Sequence, residues 1–493
     1  ACAMTLAANT ARLVGRRNHT PSALSLVACI MLLAWPPTAA SIGFWLSVFA
    51  VFGLTVFCPL ITAHLICLFT GRSQSGPGRK WLGRVFEPAG LTVTAQLFTL
   101  PLTAPLFATI SLISPLANLL AAPLVTLMVG GGIVAACLVP LCSDLSLVVF
   151  RLLCLVGQAA AQLSEWLSGI PYASWPVAVD MVPTLLLFLL LAALLYLLWP
   201  QPGPRPRLGL ALMLVAAVCA NVLCLNLPTG AQLIVMDVGQ GDALIIRDGR
   251  NCVLIDTGPD EKALLRALAR NNISHIDAVV LTHLDLDHCG ALSALRGTIP
   301  TEDVFFAADL LTYQADDAAV SAAAWLDADG ASELASQDQL LVSGQLTLTV
   351  VWPAEPVREG GNDQSLCLRL SYDCNLDGQP ETQALLTGDA ELPELRLILA
   401  DDPQTYQVLK VGHHGSNDAI GLEELQLMRT EIALICVGAD NYYGHPTAQT
   451  LTTLEAADVA LFRTDLHGDI TLDFGPTAIQ VSYDSIAPEL TSR

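Results

Sequence analysis

Within Leu281-Thr282-His283-Leu284-Asp285-Leu286-Asp287-His288-Cys289-Gly290, four metal-capable side chains fall in six residues. The apolar run before them, Ile276 to Leu281, reads as a buried strand. At the end of such a strand His283 and Asp285 are two apart and project to the same side, whereas the adjacent Asp287 and His288 point differently. That spacing suits two metals side by side. Two ions roughly 3.5–4 Å apart can activate one shared water and stabilise both oxygens of a displacement at phosphorus or carbon. A helix N-cap at Asp285 or Asp287 would explain an aspartate, but caps do not require two flanking histidines.

The 493-residue chain is long enough for more than one domain, and its charge is segregated. Residues 1–230 carry ten Lys+Arg and four Asp+Glu; residues 231–493 carry thirteen and 41, within a formal net charge of −22. Long apolar runs are confined to the first half, which belongs in a bilayer, and the acidic second half reads as a soluble domain. Nine of the fourteen cysteines lie in the apolar half. The five others (Cys252, Cys289, Cys367, Cys374, Cys436) form no CxxC and are odd in number, which argues against a fully paired disulfide framework. With no Met at residue 1 and no signal-peptide pattern, the sequence is expected to be a piece of a longer membrane protein.

The elements that must hold the first half in a membrane follow in order. Arg12, Arg16 and Arg17 precede an apolar stretch at about 22–38, and Ile42 to Phe69 is long enough to span. A basic loop covers 71–84. From Glu87 to Ile170 the sequence is apolar, with expected breaks at Pro101, Pro105, Pro115, Pro123 and Gly130-Gly131-Gly132. Either a broken-helix channel core or a kinked helical bundle fits that pattern. Met181 to Trp199 and Leu208 to Leu227 are further spans around a short basic loop at 200–207. The positive-inside rule puts the basic tail and both loops in the cytoplasm, so one more crossing leaves residue 228 outside. The expectation is a multi-pass plasma-membrane domain, 1–228, followed by an extracytoplasmic domain, 229–493.

That second domain opens as strand, turn, strand: Gln232 to Ala243, Leu244 to Arg247, a turn at Asp248-Gly249, then Cys252 to Gly258. A helix at 261–270 leads to the strand before His283. Later strands end at Thr387-Gly388-Asp389, at Gly412-His413-His414-Gly415-Ser416 and before Tyr443-Gly444-His445-Pro446. Strands that end in polar loops, with helices between, describe an α/β or αββα domain. Five of the seven histidines in this half (His283, His288, His413, His414, His445) occupy such strand ends, while His275 and His467 read as structural or surface residues.

Asp256-Thr257-Gly258, the HxDxDH at 283–288, Thr387-Gly388-Asp389, His413-His414-Gly415-Ser416 and Gly444-His445-Pro446 resemble the successive motifs of the metallo-β-lactamase fold. Their form, with Val238-Gly239-Gln240-Gly241-Asp242, is similar to the extracytoplasmic domain of ComEC-type DNA-internalisation competence proteins. The run Ile113 to Val125 is similar to that family's competence membrane domain. The resemblance runs from about residue 20 to the C-terminus, although family members usually carry further N-terminal helices and a small soluble domain. It implies a polytopic α-helical membrane domain followed by an αββα metallo-β-lactamase-like domain. It also implies that His283 and Asp285 bind one divalent ion, that Asp287 and His288 bind the other, and that Asp389 bridges them. Asp256 would orient a ligand by hydrogen bond. His445 and one of His413 and His414 would complete the metal set or face the scissile group, and spacing leaves open which does which. Lys410 would offset charge on a phosphate.

The broader fold usually has a histidine where Asp285 stands, and a third-motif histidine that this chain lacks between His288 and His413. Asn362 or Asp363 would substitute there. Carboxylate in place of imidazole shifts preference from Zn²⁺ toward harder ions such as Mn²⁺. The function implied is DNA uptake: a nuclease that cuts one strand, and a membrane channel for the other strand, served by DNA-receptor and ATPase partners. The acidity of the second half opposes nucleic-acid binding unless basic residues cluster at the metal loops or a partner delivers the DNA. Asp309, Asp316, Asp317, Asp327 and Asp329 read as a solvated face turned away from substrate. Two rivals remain at this stage: a transporter with an inert domain, and a membrane-anchored hydrolase of a small ester.

Overall fold

Runs of Leu, Ala and Val without charge leave the backbone few partners but itself, and the described residues of the first half are accordingly mostly helical as far as Leu197. A computed structural model describes residues 20–59, 61–62, 77–197, 229–310, 312, 319–320, 323, 331–358, 361–439 and 441–484. The chain divides into two compact units, Ala1–Cys219 and Ala220–Arg493. The N-terminal arginines, the loop at 200–207, the span at 208–227, the boundary at 228 and most of the acidic stretch 309–338 lie outside the described residues.

Among the described residues of the first unit, the α-helices are α1 (Thr20–Ala34), α2 (Ile42–Val56), α3 (Pro77–Phe107), α4 (Ser114–Leu138), α5 (Ser143–Ser168) and α6 (Met181–Leu197). Among the described residues, Gly90–Phe107, Ser114–Leu138 and Ser143–Ser168 are long and apolar enough to cross a membrane. Gly131 of α4 packs against Leu153 of α5. Around that contact Leu127, Val129, Ile133, Leu152 and Leu155 are exposed, an apolar surface too large to face water. Phe52, Phe57, Phe98 and Phe188 form the aromatic cluster that joins α2, α3 and α6.

The expected breaks fall elsewhere. Pro101, Pro105, Pro123 and Gly130-Gly131-Gly132 all lie inside continuous helices, and Pro115 sits in the first turn of α4. A first-turn proline loses no intrahelical bond, and an apolar surround offers the other freed carbonyls no competing water. The interruption is at Ala108–Ile113, where Ala108 takes a φ of 55°. There the short strand β1 (Thr109–Ser111) pairs antiparallel with β2 (Ser174–Pro176).

The second unit is built on two sheets. The first contains β3 (Thr229–Val235), β4 (Leu244–Gly249), β5 (Asn251–Ile255), β6 (Ile276–Val280), β7 (Thr301–Ala307) and β8 (Ser332–Leu334), with α7 (Glu261–Arg270) and the short α8 (Leu286–Cys289) between strands. The second contains β9 (Gln339–Leu341), β10 (Leu346–Trp352), β11 (Cys367–Tyr372), β12 (Thr382–Leu386), β13 (Val408–Lys410), β14 (Ile432–Ile435) and β15 (Ala460–Arg463). Helices α9 (Leu392–Asp401), α10 (Leu422–Met428) and α11 (Ala448–Ala456) connect its strands, and α12 (Thr464–His467) leads back to β16 (Ile470–Phe474) and β17 (Ile479–Tyr483) of the first sheet. Strand orders are β17-β16-β3-β4-β5-β6-β7-β8 and β15-β14-β13-β12-β11-β10-β9.

Residue alternation decides which core each side chain joins. Val408 of β13 and Leu434 of β14 turn into the core that also holds Leu233 and Ile245 of the first sheet. Their neighbours Leu409, Ala433 and Ile435 turn outward onto Leu395, Leu425 and Leu454 of α9, α10 and α11. Helices outside and two sheets within make an αββα sandwich. Strands β5 to β8 are parallel, as are β12 to β15, so their carboxyl ends open at shared edges where ligands bind in such sheets.

Candidate metal centre

Every cluster residue leaves a strand at its carboxyl end. β6 runs through Thr282 to His283 and then into α8, whose single turn carries Asp287 and His288. β12 gives Asp389 after Gly388, which holds a φ of +53° close against Thr282. β13 gives the one-turn His413–Gly415 segment, in which His414 sits at φ 53°. The Asp256 backbone, after β5, is also left-handed at φ 56°. Such conformations in non-glycine residues carry strain that the surrounding hydrogen bonds must hold in place.

The side chains converge. His288 is fully buried, its Nδ1 2.8 Å from Asp256 Oδ2. Its Nε2 lies 3.2 Å from Asp389 Oδ1 without the alignment that a hydrogen bond needs. His414 Nδ1 bonds to the Cys436 carbonyl at 2.9 Å, and its Nε2 is 3.1 Å from Asp287 Oδ2. One donor atom from each of Asp287, His288, Asp389 and His414 lies within 4.8 Å of the others. His283 stands beside them, its ring 4.1 Å from that of His288. Ser365 and Thr282 hydroxyls hold its Nδ1 at 3.1 Å, and its buried Nε2 has no hydrogen-bond partner. Buried imidazole nitrogens and a carboxylate oxygen that face one another unpaired form a donor set for a divalent ion. The residues present fit the metal that the motifs imply.

Charge is arranged to match. Burial, reinforced by the charge on His288, pushes the His283 pKa down to about 4, so this ring is neutral. Burial opposes a charge on His288, but Asp389, Asp256 and Asp242 outweigh it and raise that pKa well above the usual value. For His414, burial is likewise overcome by the Asp242 carboxylate 3.4 Å away and by the bond to Asp287, and the pKa rises to about 9. The Asp389 carboxyl, despite burial, is held well below its usual range by His288. Metal-free, the centre keeps its carboxylates ionised by protonating His288 and His414, while His283 stays neutral.

The remaining expected residues take different places. Asp285 is exposed, with an oxygen 3.6 Å from His283 Nε2. His413 is half-buried at the rim, its Nδ1 2.8 Å from Glu391 and its Nε2 3.4 Å from Asn362 Nδ2. Asn362, rather than Asp363, faces the opening, and so does His445. Asp256 touches no opening; it orients His288 and also accepts from the Thr282 N–H and hydroxyl. Lys410, expected to meet a phosphate, is buried beneath the centre. Alternation along β13 turns it into the space between the sheets, where it forms an ion pair with Asp242 and donates to the Gly388 carbonyl at 2.6 Å. Its charge is spent on the protein's own carboxylates. His275 pairs with Asp277 at 3.0 Å, and His467 bonds the Arg463 carbonyl at 2.9 Å, both away from the cluster.

Asp242, Ser365, Thr282 and Glu391 carry positioning contacts to which spacing assigned no role. Asp242 had a signal in its Gly-Gln-Gly-Asp setting. A Cβ on Gly241 would lie 2.3 Å from the Asp287 carbonyl, so only glycine lets this loop reach the HxDxDH segment. The Asp242 N–H then donates to that carbonyl at 3.1 Å.

Residues 1–202 match the Competence protein family model, and residues 236–439 match the Metallo-beta-lactamase superfamily model. With those domains in that order, the chain is ComEC-type. This ComEC-type chain is 26% identical to ComE operon protein 3 of Bacillus subtilis (80% of this chain, 53% of the relative). It is 28% identical to Competence protein ComA of Neisseria gonorrhoeae (90% and 57%). Uncharacterized protein YcaI of Escherichia coli is 26% identical (80% and 49%). The chain thus spans about half the length of these curated relatives. Among solved structures, the metallo-beta-lactamase fold protein YhfI from Bacillus subtilis is 12% identical at a TM-score of 0.32, covering 47% of this chain and 96% of YhfI.

Proposed function

We propose that this ComEC-type chain serves DNA uptake: its second unit hydrolyses phosphodiester bonds of one strand while its first passes the other across the plasma membrane. The observation that carries the reading is the convergence of Asp287, His288, Asp389 and His414 on one buried point. Two divalent ions held by these residues with His283, Asp285, His413 or His445 would supply water activation and Lewis-acid stabilisation of the leaving oxygen. The carboxylate-rich donor set favours Mn²⁺ over Zn²⁺.

The chain's own groups do the rest. Asp256 fixes the His288 ring, and the Cys436 carbonyl fixes that of His414, so both present Nε2 to the substrate side. Ser365 and Thr282 do the same for the neutral His283. Lys410 keeps the carboxylate cluster from repelling itself apart. His413 and His445, whose rings are 5.7 Å apart at the opening, stand where each could complete the metal set or face the scissile group. The apolar helices of the first unit supply the membrane setting, and we place the second unit outside the cytoplasm, where a DNA receptor would deliver substrate and an ATPase would draw the surviving strand inward.

The test uses the full chain in lipid nanodiscs with end-labelled DNA, with and without Mn²⁺ or Zn²⁺. Metal-dependent cutting by the wild type, lost in Asp287→Ala/His288→Ala, is the expected result. No cutting by a folded wild type with either metal would shift the account to a transporter carrying an inert domain.

A further inference from the structure

A nucleic acid approaching this centre meets the wrong charge. Among the described residues, those that line the opening include Asp285, Asp287 and Asp389 and no lysine or arginine. Residues 231–493 carry 41 Asp+Glu against thirteen Lys+Arg. The usual source of affinity, Lys and Arg neutralising phosphates, is missing where the chemistry would occur. A grip that does not depend on phosphate charge has to replace it.

The loop between β14 and α11 offers one. Tyr443 lines the opening yet is 73% exposed, and Tyr442 beside it is fully exposed. The Tyr443 ring lies parallel to the His445 imidazole, at 6° and 6.1 Å between centroids. The loop's segment 441–445 is tied by hydrogen bonds. Asn441 Nδ2 donates to the Gly438 and His445 carbonyls, each at 2.9 Å, and Asn441 Oδ1 accepts from the His445 N–H at 3.0 Å. These bonds hold the ends of the segment that carries Tyr443 at the lip of the centre, which lowers the entropy its ring loses on binding a flat partner.

We propose that Tyr443, assisted by Tyr442, is a stacking platform for an unpaired nucleobase adjoining the scissile phosphate. This inference rests on the phosphodiesterase reading above. It restricts the substrate to single-stranded or frayed DNA, since a base inside a duplex offers no free face. It also implies a shallow salt dependence, because stacking releases no counterions.

The experiment measures fluorescence anisotropy of the full chain in nanodiscs with an oligothymidylate of about twelve nucleotides and with an abasic strand of equal phosphate number. Wild type is expected to bind the oligothymidylate at least about ten-fold more tightly, because stacking contributes on the order of ten-fold per base. Tyr443→Ala should lose that preference, and Tyr443→Phe, which keeps the ring, should retain it. Equal binding of the two strands by wild type, or an unaltered preference in Tyr443→Ala, overturns the platform while leaving a DNA-binding centre. Failure of wild type to bind either strand overturns the platform together with the DNA reading on which it rests. In that last case hydrolysis of bis(p-nitrophenyl) phosphate by wild type shows whether the diesterase chemistry survives without DNA.

Discussion

His288 and His414 are aimed by the same device: a partner on Nδ1 leaves Nε2 to face the cluster. The consequence is a pH dependence of opposite sign for metal binding and for metal-free stability. With its pKa raised to about 9 from 6.5, His414 is protonated at neutral pH in the metal-free protein. An incoming cation must displace that proton, so affinity should climb as pH rises toward about 9, with proton release visible by calorimetry in buffers of different ionisation heat. The protonated ring stabilises the metal-free fold fully below 6.5, and this stabilisation is lost as pH rises through about 9. Thermal melts in chelator should therefore fall over that window; a flat or rising profile would contradict the assignment. At this scale the sequence was readable where ligands are contiguous. HxDxDH stands out by type and spacing, Thr387-Gly388-Asp389 alone reads as a turn and gains its role only from the resemblance, and Ser365 and Glu391 act through contacts that chain distance conceals.

Lys410 illustrates what an element decides that a residue type does not. Strand alternation along β13 places it inward beside Val408, and its ion pair with Asp242 ties a loop of the first sheet to a strand of the second. Lys410→Met leaves the buried Asp242 carboxylate with only His414 and His288 as counter-charges at 3.4 and 3.9 Å, which should cost up to about 3–5 kcal/mol in urea unfolding. Asp242→Asn/Lys410→Met removes both charges and should recover most of that loss; equal damage from both variants would mean that packing, not charge, is at stake. Many strand positions were legible because apolar runs and polar strand ends are local signals, whereas the pattern alone left α/β and αββα open and the resemblance chose between them. The helix breaks were not. Proline and glycine mark breaks where water can take the freed carbonyl, and in an apolar run Pro101, Pro105 and Pro123 stay helical.

The whole molecule combines a helical unit whose exposed Leu, Val and Ile side chains need lipid or apolar partners with an acidic sandwich that concentrates carboxylates around one point. The charge contrast was visible in the sequence and explains both halves: few ionised groups where they would be desolvated, and an excess where cations would be collected. That second role makes bound metal the quantity on which the account stands. Divalent metal content of the full chain, purified in nanodiscs after exposure to Mn²⁺ or Zn²⁺ and measured by mass spectrometry, is the direct test. Wild type should retain two ions per chain, as a two-metal centre requires, and Asp389→Asn should lose at least one. A wild type that retains none, or an Asp389→Asn variant that retains as much as wild type, would contradict the metal centre and the chemistry proposed for it.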